Sequence, residues 1–249
     1  DDVIRKYDFK YDPVNRLLKG QFEQDDANAA WNSTTMNYAM QMGDGIDPIT
    51  AYDYNGNIKA MTQFGWKLGA ASTSPIDNLT YKMITGTNRL ELVTDASNDY
   101  QSKLGDFKYD PNTKTSIDYV YDLNGNLTVD NNKKISSISY NHLNLPGSIT
   151  VTAKGNIAYT YDAAGNKIKK LTTDNSVAGK IITTTTTYIG GMVYESKTTN
   201  PPNTPDDNYT DRLQFISQEE GRIRFKKNPG TTTTGLFEYD YMLKDHLGN

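Results

Sequence analysis

The chain has 249 residues, of which 36% are hydrophobic, and its formal net charge is -4. This length can bury a core as one all-β unit or two smaller ones, and the acidic balance argues against a nucleic-acid surface, which needs clustered lysine and arginine. Cysteine is absent, which excludes disulfides, thiolate metal sites and cysteine nucleophiles.

Two further features of the composition bear on the fold. No apolar run approaches the roughly 18 residues of a membrane span, and the mean hydropathy is low, at -0.70. Tyrosine is nevertheless abundant, with 18 copies against 7 phenylalanines. Because amphipathic rings can cover a sheet without a dry interior, this composition favours a thin-walled or one-sided sheet over a deep apolar core.

The first hundred residues alternate between hairpin patterns and irregular stretches. Residues 1–24 predict two strands with a turn near Asn15. Residues 25–48 break the pattern and are interpreted as an insertion, with weak helical character over 25–31. Residues 49–68 predict a second strand, turn and strand, and residues 79–94 predict a third hairpin.

The second half is more regular. Residues 95–118 are polar and turn-rich, and we interpret them as a second insertion. Tyrosines then recur at 121, 140 and 161, spacings of 19 and 21 residues that accommodate two strands and two turns. Further hairpins are predicted around Gly190 and Gly191 and across residues 213–225. The chain closes on an alternating strand over residues 237–243.

One short motif recurs through these hairpins, namely Tyr-Asp-x-x-Gly-Asn. Full copies begin at Tyr52, Tyr121 and Tyr161, looser copies begin at Tyr11 and Tyr140, and a stretched copy begins at Tyr81. A repeated unit predicts an array rather than a single active site. The predicted structural residues of the repeat are Tyr11, Asp12, Asn15, Tyr52, Asp53, Gly56, Tyr121, Asp122, Gly125, Tyr140, Asn144, Tyr161, Asp162 and Gly165.

The motif has a physical interpretation as a tight turn. Glycine and asparagine tolerate positive φ, so the fifth position predicts left-handed backbone in every copy, including Asn88 in the stretched one. The aspartate three residues earlier can accept hydrogen bonds from the amides of the turn. Each copy should therefore be a strand, a turn and a returning strand, with the tyrosine ending the incoming strand.

Three other groups of residues could carry chemistry, and for each the structural interpretation is favoured. Asp53 and Asp122 resemble calcium-loop aspartates, but the glycine falls at the fourth position and no acidic residue follows at the required distance. Glu219 and Glu220 could serve a glycosidase, yet adjacent strand residues point to opposite faces. We predict no metal site, no cofactor and no enzymatic activity.

The last of these groups is Asp245 beside His246, with His142 as the other histidine. A histidine–aspartate pair needs a nucleophile, and the chain has no cysteine and no Gly-x-Ser-x-Gly motif. Two histidines are also too few for most catalytic metal sites. Both histidines are therefore predicted to be structural residues of turns.

The repeated motif resembles the RHS/YD-repeat family of bacterial proteins. The end of the chain, from Tyr239 to Asn249, resembles the opening of that family's RHS repeat-associated core region. Family-like segments also occur at residues 65–69, 138–146 and 219–224. The resemblance divides the chain into a YD-repeat β-hairpin array at 1–236, with insertions near 25–48 and 95–118, and the start of the core region at 237–249.

The resemblance implies an all-β fold in which antiparallel hairpin repeats form a long coiled sheet, part of a shell-like or barrel-like wall. Members enclose a C-terminal toxin, are secreted or displayed at the cell surface, and act in competition between cells. The expected partners are the remainder of the same polypeptide and that toxin, with secretion machinery or a surface glycan as further candidates. The self-cleavage site of the family would lie beyond Asn249, so no catalytic residue is carried over.

The sequence is compatible with three functions. The first is a non-enzymatic wall segment. The second is an adhesion module that binds a carbohydrate or protein through its tyrosine-rich sheet. The third is a hydrolase that uses Glu219, Glu220 or Asp245. Aromatic rings packed between neighbouring strands would favour the wall, whereas rings exposed on a sheet would favour the adhesion module.

Overall fold

Antiparallel β-strands make up nearly all of the regular structure in the computed structural model, which describes residues 3–25, 30–34, 36–202, 204, 208–228 and 235–243. The predicted all-β class, with antiparallel sheets of many strands, is confirmed. The chain divides into two compact units, Asp1–Lys133 and Lys134–Asn249.

The first unit contains a seven-stranded sheet and one two-stranded hairpin outside that sheet. Its elements are β1 (Arg5–Tyr11), β2 (Leu17–Asp25), β3 (Trp31–Asn32), β4 (Met40–Met42), α1 (Pro48–Ala51), β5 (Ala60–Gly65), β6 (Ser74–Met83), β7 (Leu90–Asp95), β8 (Tyr119–Tyr121) and β9 (Leu127–Asp130). The sheet runs in the order β1-β2-β4-β5-β6-β7, and β3 pairs with β2. Strands β8 and β9 pair with each other.

The second unit is a continuous run of antiparallel strands. Its strands are β10 (Ile135–Tyr140), β11 (Pro146–Val151), β12 (Gly155–Tyr161), β13 (Lys167–Asp174), β14 (Ile181–Ile189), β15 (Met192–Asn200), β16 (Tyr209–Gln218), β17 (Gly221–Lys227) and β18 (Gly235–Tyr241). Each strand pairs with the next one along the chain. Short connections make this order favourable, since antiparallel neighbours need only a tight turn between them.

The main hydrophobic cluster lies in the first unit. Strand β2 alternates along its length, with Leu18, Gly20, Phe22 and Gln24 buried and the residues between them half-buried. Leu18 packs with Met42, Ala51 and Tyr52, and Ile58 and Met61 lie against this cluster. The alternation follows from the period of two in a strand, which places every second side chain on one face.

Apolar burial is sparse in the rest of the described chain, as the composition predicts. Several aspartates are buried, and many large apolar side chains are exposed. Tyr7, Phe9 and Tyr11 line one face of β1, and Tyr239 and Tyr241 lie on β18 in the same manner. Both strands are edge strands of their sheets.

Two predictions for the region between β2 and β5 are wrong. The incoming strand predicted before Tyr52 is instead the single helical turn α1, because Asp47 accepts a hydrogen bond from Ile49 N–H and Pro48 occupies the first turn. The insertion predicted at 25–48 stays a prediction, and its residues contribute β3 and β4 to the sheet. Its weakly helical pattern is contradicted at Asp25 and Trp31, which lie in strands, while residues 26–29 lie outside the described chain.

The remaining predicted hairpins form. The pairs over residues 1–24 and 79–94 are β1–β2 and β6–β7, and the turns at 190–191 and 219–220 join β14 to β15 and β16 to β17. Residues 96–118, which make up nearly all of the second predicted insertion, contain no strand. The predicted boundary at 236/237 stays a prediction, since residues 244–249 lie outside the described chain.

Candidate functional site: the row of repeat turns

The repeat turns line one edge of the strands in each unit. Successive strands of the sheet run in opposite directions, so the turns after β1, before β5 and after β6 return to the same edge. The turn after β8 lies beside the turn after β6, since a Cβ on Gly125 would lie 3.1 Å from the Arg89 guanidinium. Asn57 Nδ2 donates to Asn88 Oδ1 at 2.9 Å, which joins two of these turns directly. In the second unit the turns after β10, β12, β14 and β16 share an edge for the same reason.

One hydrogen-bond pattern defines the turn, and Asp122 illustrates it. Gly125 N–H donates to the Asp122 carbonyl at 3.1 Å, and Asp122 N–H donates to the Asn126 carbonyl at 2.9 Å. The Asp122 carboxylate then accepts Asn126 N–H at Oδ1, at 2.8 Å, and the Asn126 side-chain amide at Oδ2, at 3.0 Å. The side chain thus satisfies the donors that a tight reversal leaves unpaired.

The same pattern recurs in the other copies with defined variations. Asp53 and Asp162 accept from the backbone and side chain of Asn57 and Asn166. At Asp12 the side-chain donor is the Arg16 guanidinium, whose Nε lies 2.7 Å from Oδ2. These distances agree to within a few tenths of an ångström, as expected of one turn built repeatedly.

In the looser copy at residues 140–146, an asparagine occupies the capping position that aspartate occupies in the other turns. Asn141 Oδ1 accepts the N–H groups of Leu143 and Leu145, at 2.9 and 3.0 Å, as the aspartates do in their own turns. The backbone bonds of this turn are also the same. A neutral amide oxygen therefore suffices for the backbone part of the cap.

Positive φ occurs at the predicted fifth position in five copies. The φ angles are 63° at Asn15, 87° at Gly56, 89° at Gly125, 56° at Asn144 and 86° at Gly165. The prediction for Asn88 is wrong. Gly86 has the positive φ, at 76°, and Asn88 uses its side chain to bond with Asn55 and Asn57. The longer turn places glycine two residues earlier, where an added Cβ would meet no atom of another residue beyond its chain neighbours within 4 Å.

The motif tyrosines mostly lie where the sequence predicts. Tyr11, Tyr121, Tyr140 and Tyr161 are the last residues of β1, β8, β10 and β12. Tyr52 follows α1 instead, and it forms an isolated bridge with Ile58. In all five copies the tyrosine directly precedes the capping residue of the turn.

Three motif tyrosines fasten one repeat to the preceding one. Each hydroxyl donates to the backbone carbonyl of the first residue in the strand that follows the previous turn. The bonds are Tyr52 to Leu17 at 2.6 Å, Tyr121 to Leu90 at 2.9 Å and Tyr161 to Pro146 at 3.0 Å. We name these three bonds the tyrosine interlock. Sequence reasoning assigned the rings to packing alone and missed the role of the hydroxyl.

An arginine of the earlier turn completes the contact at two of the three tyrosines. The Arg16 guanidinium lies 4.4 Å from the centre of the Tyr52 ring, and that of Arg89 lies 5.8 Å from the Tyr121 ring. Such cation–π contacts are attractive. The same arginine reaches the glycine of the next turn, since a Cβ on Gly125 would lie 3.1 Å from Arg89. Glycine therefore serves both the turn and the close approach.

The electrostatics of the turns favour ionised aspartates and neutral tyrosines. The side-chain hydrogen bond from the motif asparagine, joined by backbone N–H groups, lowers the pKa of Asp53, Asp122 and Asp162. Burial raises the pKa of Asp12, but the hydrogen bonds from Arg16 and Val14 together outweigh burial. The net pKa of Asp12 therefore lies below its ordinary value. Burial raises the pKa of Tyr52, Tyr121 and Tyr161, which keeps their hydroxyls available as donors.

The other chemistry-bearing candidates do not assemble into a site within the described residues. Glu219 and Glu220 form the two-residue turn between β16 and β17. His142 is exposed in the turn after β10, while Asp245 and His246 lie outside the described chain. In the described part, no group of three histidine, cysteine or acidic side chains has the spacing of a metal site. No helix there is long and apolar enough to span a membrane.

A buried ion pair holds the segment before β8, and sequence reasoning did not predict it. Lys114 Nζ lies 2.6 Å from Asp118 Oδ2 and also donates to the Val93 carbonyl and Asn132 Oδ1. Asp118 is fully buried and accepts Val93 N–H from β7. No local pattern in the sequence distinguishes this lysine and aspartate from the other charged residues around them.

One open cleft lies beside the second repeat turn. Its volume is about 330 Å³, and Arg16, Ile49, Tyr52, Tyr54 and Lys59 are among its lining residues. The Tyr54 side chain is fully exposed. Clefts of this size fall at the lower end of those that hold small ligands.

Comparison with known proteins finds a similarity in fold to solved structures. No protein-family model matches it, and no curated protein matches it. Solved structures do match. The Tc holotoxin pore of Photorhabdus luminescens matches with a TM-score of 0.51 and 14% identity over 98% of this chain. TcdB2-TccC3 without its hypervariable C-terminal region matches with a TM-score of 0.50 and 13% identity over 96%.

This chain spans about a tenth of the length of those two structures, 10% and 11% respectively. At such identities the likeness shows the fold alone.

Proposed function

We propose that the chain is a non-enzymatic wall segment of a secreted or surface-displayed protein of the RHS/YD-repeat type. The observation that carries this proposal is the tyrosine interlock, in which each hydroxyl joins one repeat to its neighbour. The turn aspartates likewise direct their oxygens at donors within their own turns. The repeated residues are therefore used to build the array.

The function of such a wall would be to enclose a C-terminal toxin and to deliver it in competition between cells. Two observations support this proposal, namely the sequence resemblance of the repeats and the likeness in fold to Tc toxin structures. The partners would be the remainder of the same polypeptide and the enclosed toxin.

Protease protection of a downstream domain tests the wall. A longer polypeptide continuing beyond Asn249 would be digested as wild type and with Tyr52→Phe, Tyr121→Phe and Tyr161→Phe combined. A matched control would combine Tyr54→Phe, Tyr239→Phe and Tyr241→Phe, whose side chains are exposed. We expect slow digestion of the downstream domain in the wild type and the control, and faster digestion in the interlock variant. A downstream domain cut as fast as the same domain alone would contradict enclosure.

A second candidate function is a carbohydrate- or protein-binding adhesion module. The cleft beside Tyr54 favours it, since an exposed ring there stands with Arg16 and Lys59 at a partly apolar hollow. Binding of the chain to immobilised glycans and to target cells would test this function, with Tyr54→Ala against the exposed control Leu123→Ala. Binding that Tyr54→Ala abolishes and Leu123→Ala preserves would support adhesion, while equal binding by both variants would remove the cleft from consideration.

A further inference from the structure

Three buried aspartates meet where β6, β7 and the following loop come together. Asp77 lies in β6, Asp95 ends β7, and Asp106 belongs to residues 96–118, which we name the β7–β8 segment. Asp77 and Asp95 are each 4% exposed, and the Asp106 side chain is 1% exposed. Phe107 N–H of the β7–β8 segment donates to Asp77 Oδ1 at 2.9 Å, which ties the segment to the strand.

The hydrogen-bond donors around these carboxyl groups are too few. Asp95 Oδ1 accepts the N–H groups of Asn78 and Ser97, both at 2.8 Å. Asp106 Oδ1 lies 3.1 Å from Lys108 Nζ and accepts a hydrogen bond from the Ser102 hydroxyl at 3.4 Å. The Oδ2 atoms of Asp95 and Asp106 are buried and have no donor among the residues that the structure describes. Burying a carboxylate oxygen without a hydrogen-bond donor costs free energy, so each of these two oxygens needs a donor.

The charges around Asp77 are also unbalanced. Facing it are Asp95 from β7, with Asp106 and Lys108 from the β7–β8 segment, while Tyr81 shares its own strand and the β5 residue opposite, Gln63, is neutral. Lys108 also donates to the carbonyls of Ser102 and Leu104, at 2.7 Å each. Two other groups touch neighbouring backbone, since Lys67 Nζ donates to the Ser97 carbonyl and the Tyr109 hydroxyl to the Asp95 carbonyl.

We propose that the Asp77–Asp95–Asp106 cluster takes up a proton when the β7–β8 segment closes onto β6 and β7, so that acid favours the closed segment. A protonated carboxyl group supplies one missing donor and removes one of three like charges. A metal ion is a weaker occupant, because these residues do not form a three-ligand group with metal spacing. The proposal adds a regulatory property to the fold and does not depend on the function proposed above.

The direction of the pH effect follows from Asp77. Burial raises its pKa first, the charges of Asp95 and Asp106 raise it further, and the Phe107 hydrogen bond and Lys108 oppose the rise. Because the folded state holds the proton more tightly, folding stability falls as pH rises from the unfolded pKa of about 3.9 through the folded pKa. The β7–β8 segment is then held less firmly at neutral pH than in acid.

The test compares the wild-type chain with Asp77→Asn between about pH 4.5 and about pH 8, above the range in which the turn aspartates titrate. Asparagine has the shape of the protonated acid and carries no charge. We expect the melting temperature of Asp77→Asn to exceed that of the wild type at the basic end, and this difference to shrink toward the acidic end. Hydrogen exchange of residues 96–118, compared between the two proteins at the same pH, should be several-fold slower in Asp77→Asn at the basic end, and this difference should also shrink in acid.

Two more variants keep the test decisive. Asp106→Asn removes a charge from the same cluster and should act in the same direction, whereas Asp99→Asn, an exposed aspartate of the same segment, should leave the pH profile of the wild type unchanged. The proposal is overturned if Asp77→Asn and Asp106→Asn differ from the wild type equally at every pH, or are less stable at the basic end. It is also overturned if millimolar Ca²⁺ stabilises the wild type and removes its pH dependence, because a cation would then be the occupant.

Discussion

At the scale of single residues, the hydrogen bonds of the capping aspartate explain which residue types occur at the second and sixth positions of the repeat motif. Its two oxygens have separate partners, since Oδ1 takes backbone N–H groups while Oδ2 takes the side chain at the sixth position. The naturally occurring Asn141 retains the first role. An asparagine in place of the aspartate therefore changes the charge and the second acceptor oxygen, but it keeps the backbone hydrogen bonds of the turn.

This division predicts how the turns respond to acid. The hydrogen bonds lower the folded-state pKa of Asp53, Asp122 and Asp162, so their stabilising contribution is complete above about pH 3.9 and is lost as pH falls through the folded pKa. Replacing all three by asparagine should reduce the fall in melting temperature as pH is lowered, while the circular dichroism spectrum should stay the same. An acid limb as steep as that of the wild type would count against this role.

The interlock makes a second prediction at residue scale. Tyr52→Phe removes one hydroxyl and leaves the Leu17 carbonyl without its donor, which should lower the free energy of unfolding by about 0.5–1.5 kcal/mol. Urea denaturation monitored by circular dichroism measures the change. Tyr54→Phe is the matched control, since the Tyr54 side chain is fully exposed. Equal stability of the two variants would show that the Tyr52 hydroxyl contributes nothing.

At the scale of elements, a glycine outside the motif fixes the pairing of two strands. Gly155 begins β12 with a φ of 128°, and a Cβ there would lie 1.8 Å from the Thr173 carbonyl oxygen of β13. Gly155→Ala should therefore separate β12 from β13 locally, at a cost of about 1–3 kcal/mol or more.

Hydrogen exchange along residues 167–174 checks this prediction, with Gly105→Ala as the control because its Cβ meets nothing within 4 Å. Faster exchange in Gly155→Ala and unchanged exchange in the control are expected. Wild-type protection in Gly155→Ala would mean that the strand can shift to accept the methyl group.

The small hydrophobic cluster gives the third element-scale test. Leu18 is 2% exposed and packs with Met42, Ala51 and Tyr52, so Leu18→Ala should destabilise the first unit by about 2–5 kcal/mol. Leu123→Ala, at a fully exposed turn position, should change stability by no more than about 0.5 kcal/mol. A chemical denaturation curve for each variant distinguishes the outcomes, and near-equal midpoints would show that the cluster is not the core of this unit.

Local patterns predicted the hairpins because the information for a hairpin is local. The alternation in β18, the fifth position of each turn and the tyrosine ending each incoming strand all depend on residues within one unit of the repeat. The errors occurred where another local signal was stronger. At Pro48 an aspartate cap and a proline favoured a helical turn over a strand, and in the stretched copy Gly86 took the left-handed position.

At the scale of the whole molecule, the contacts that sequence reasoning missed are those between distant segments. The interlock joins residues 35 positions apart at Tyr52 and 31 apart at Tyr121. The buried Asp77, Asp95 and Asp106 come from two strands and the β7–β8 segment, and nothing in their immediate neighbours distinguishes them from surface aspartates. Such sites depend on strand order and register, which become visible when the sheets are formed.

Hydrogen exchange of the interlock variant tests most directly whether the motif tyrosines hold each repeat to its neighbour. The chain with Tyr52→Phe, Tyr121→Phe and Tyr161→Phe should exchange faster than wild type at the starts of β2, β7 and β11, where the three acceptor carbonyls lie. The control with Tyr54→Phe, Tyr239→Phe and Tyr241→Phe should match the wild type. Identical exchange in the interlock variant and the control would contradict the claim.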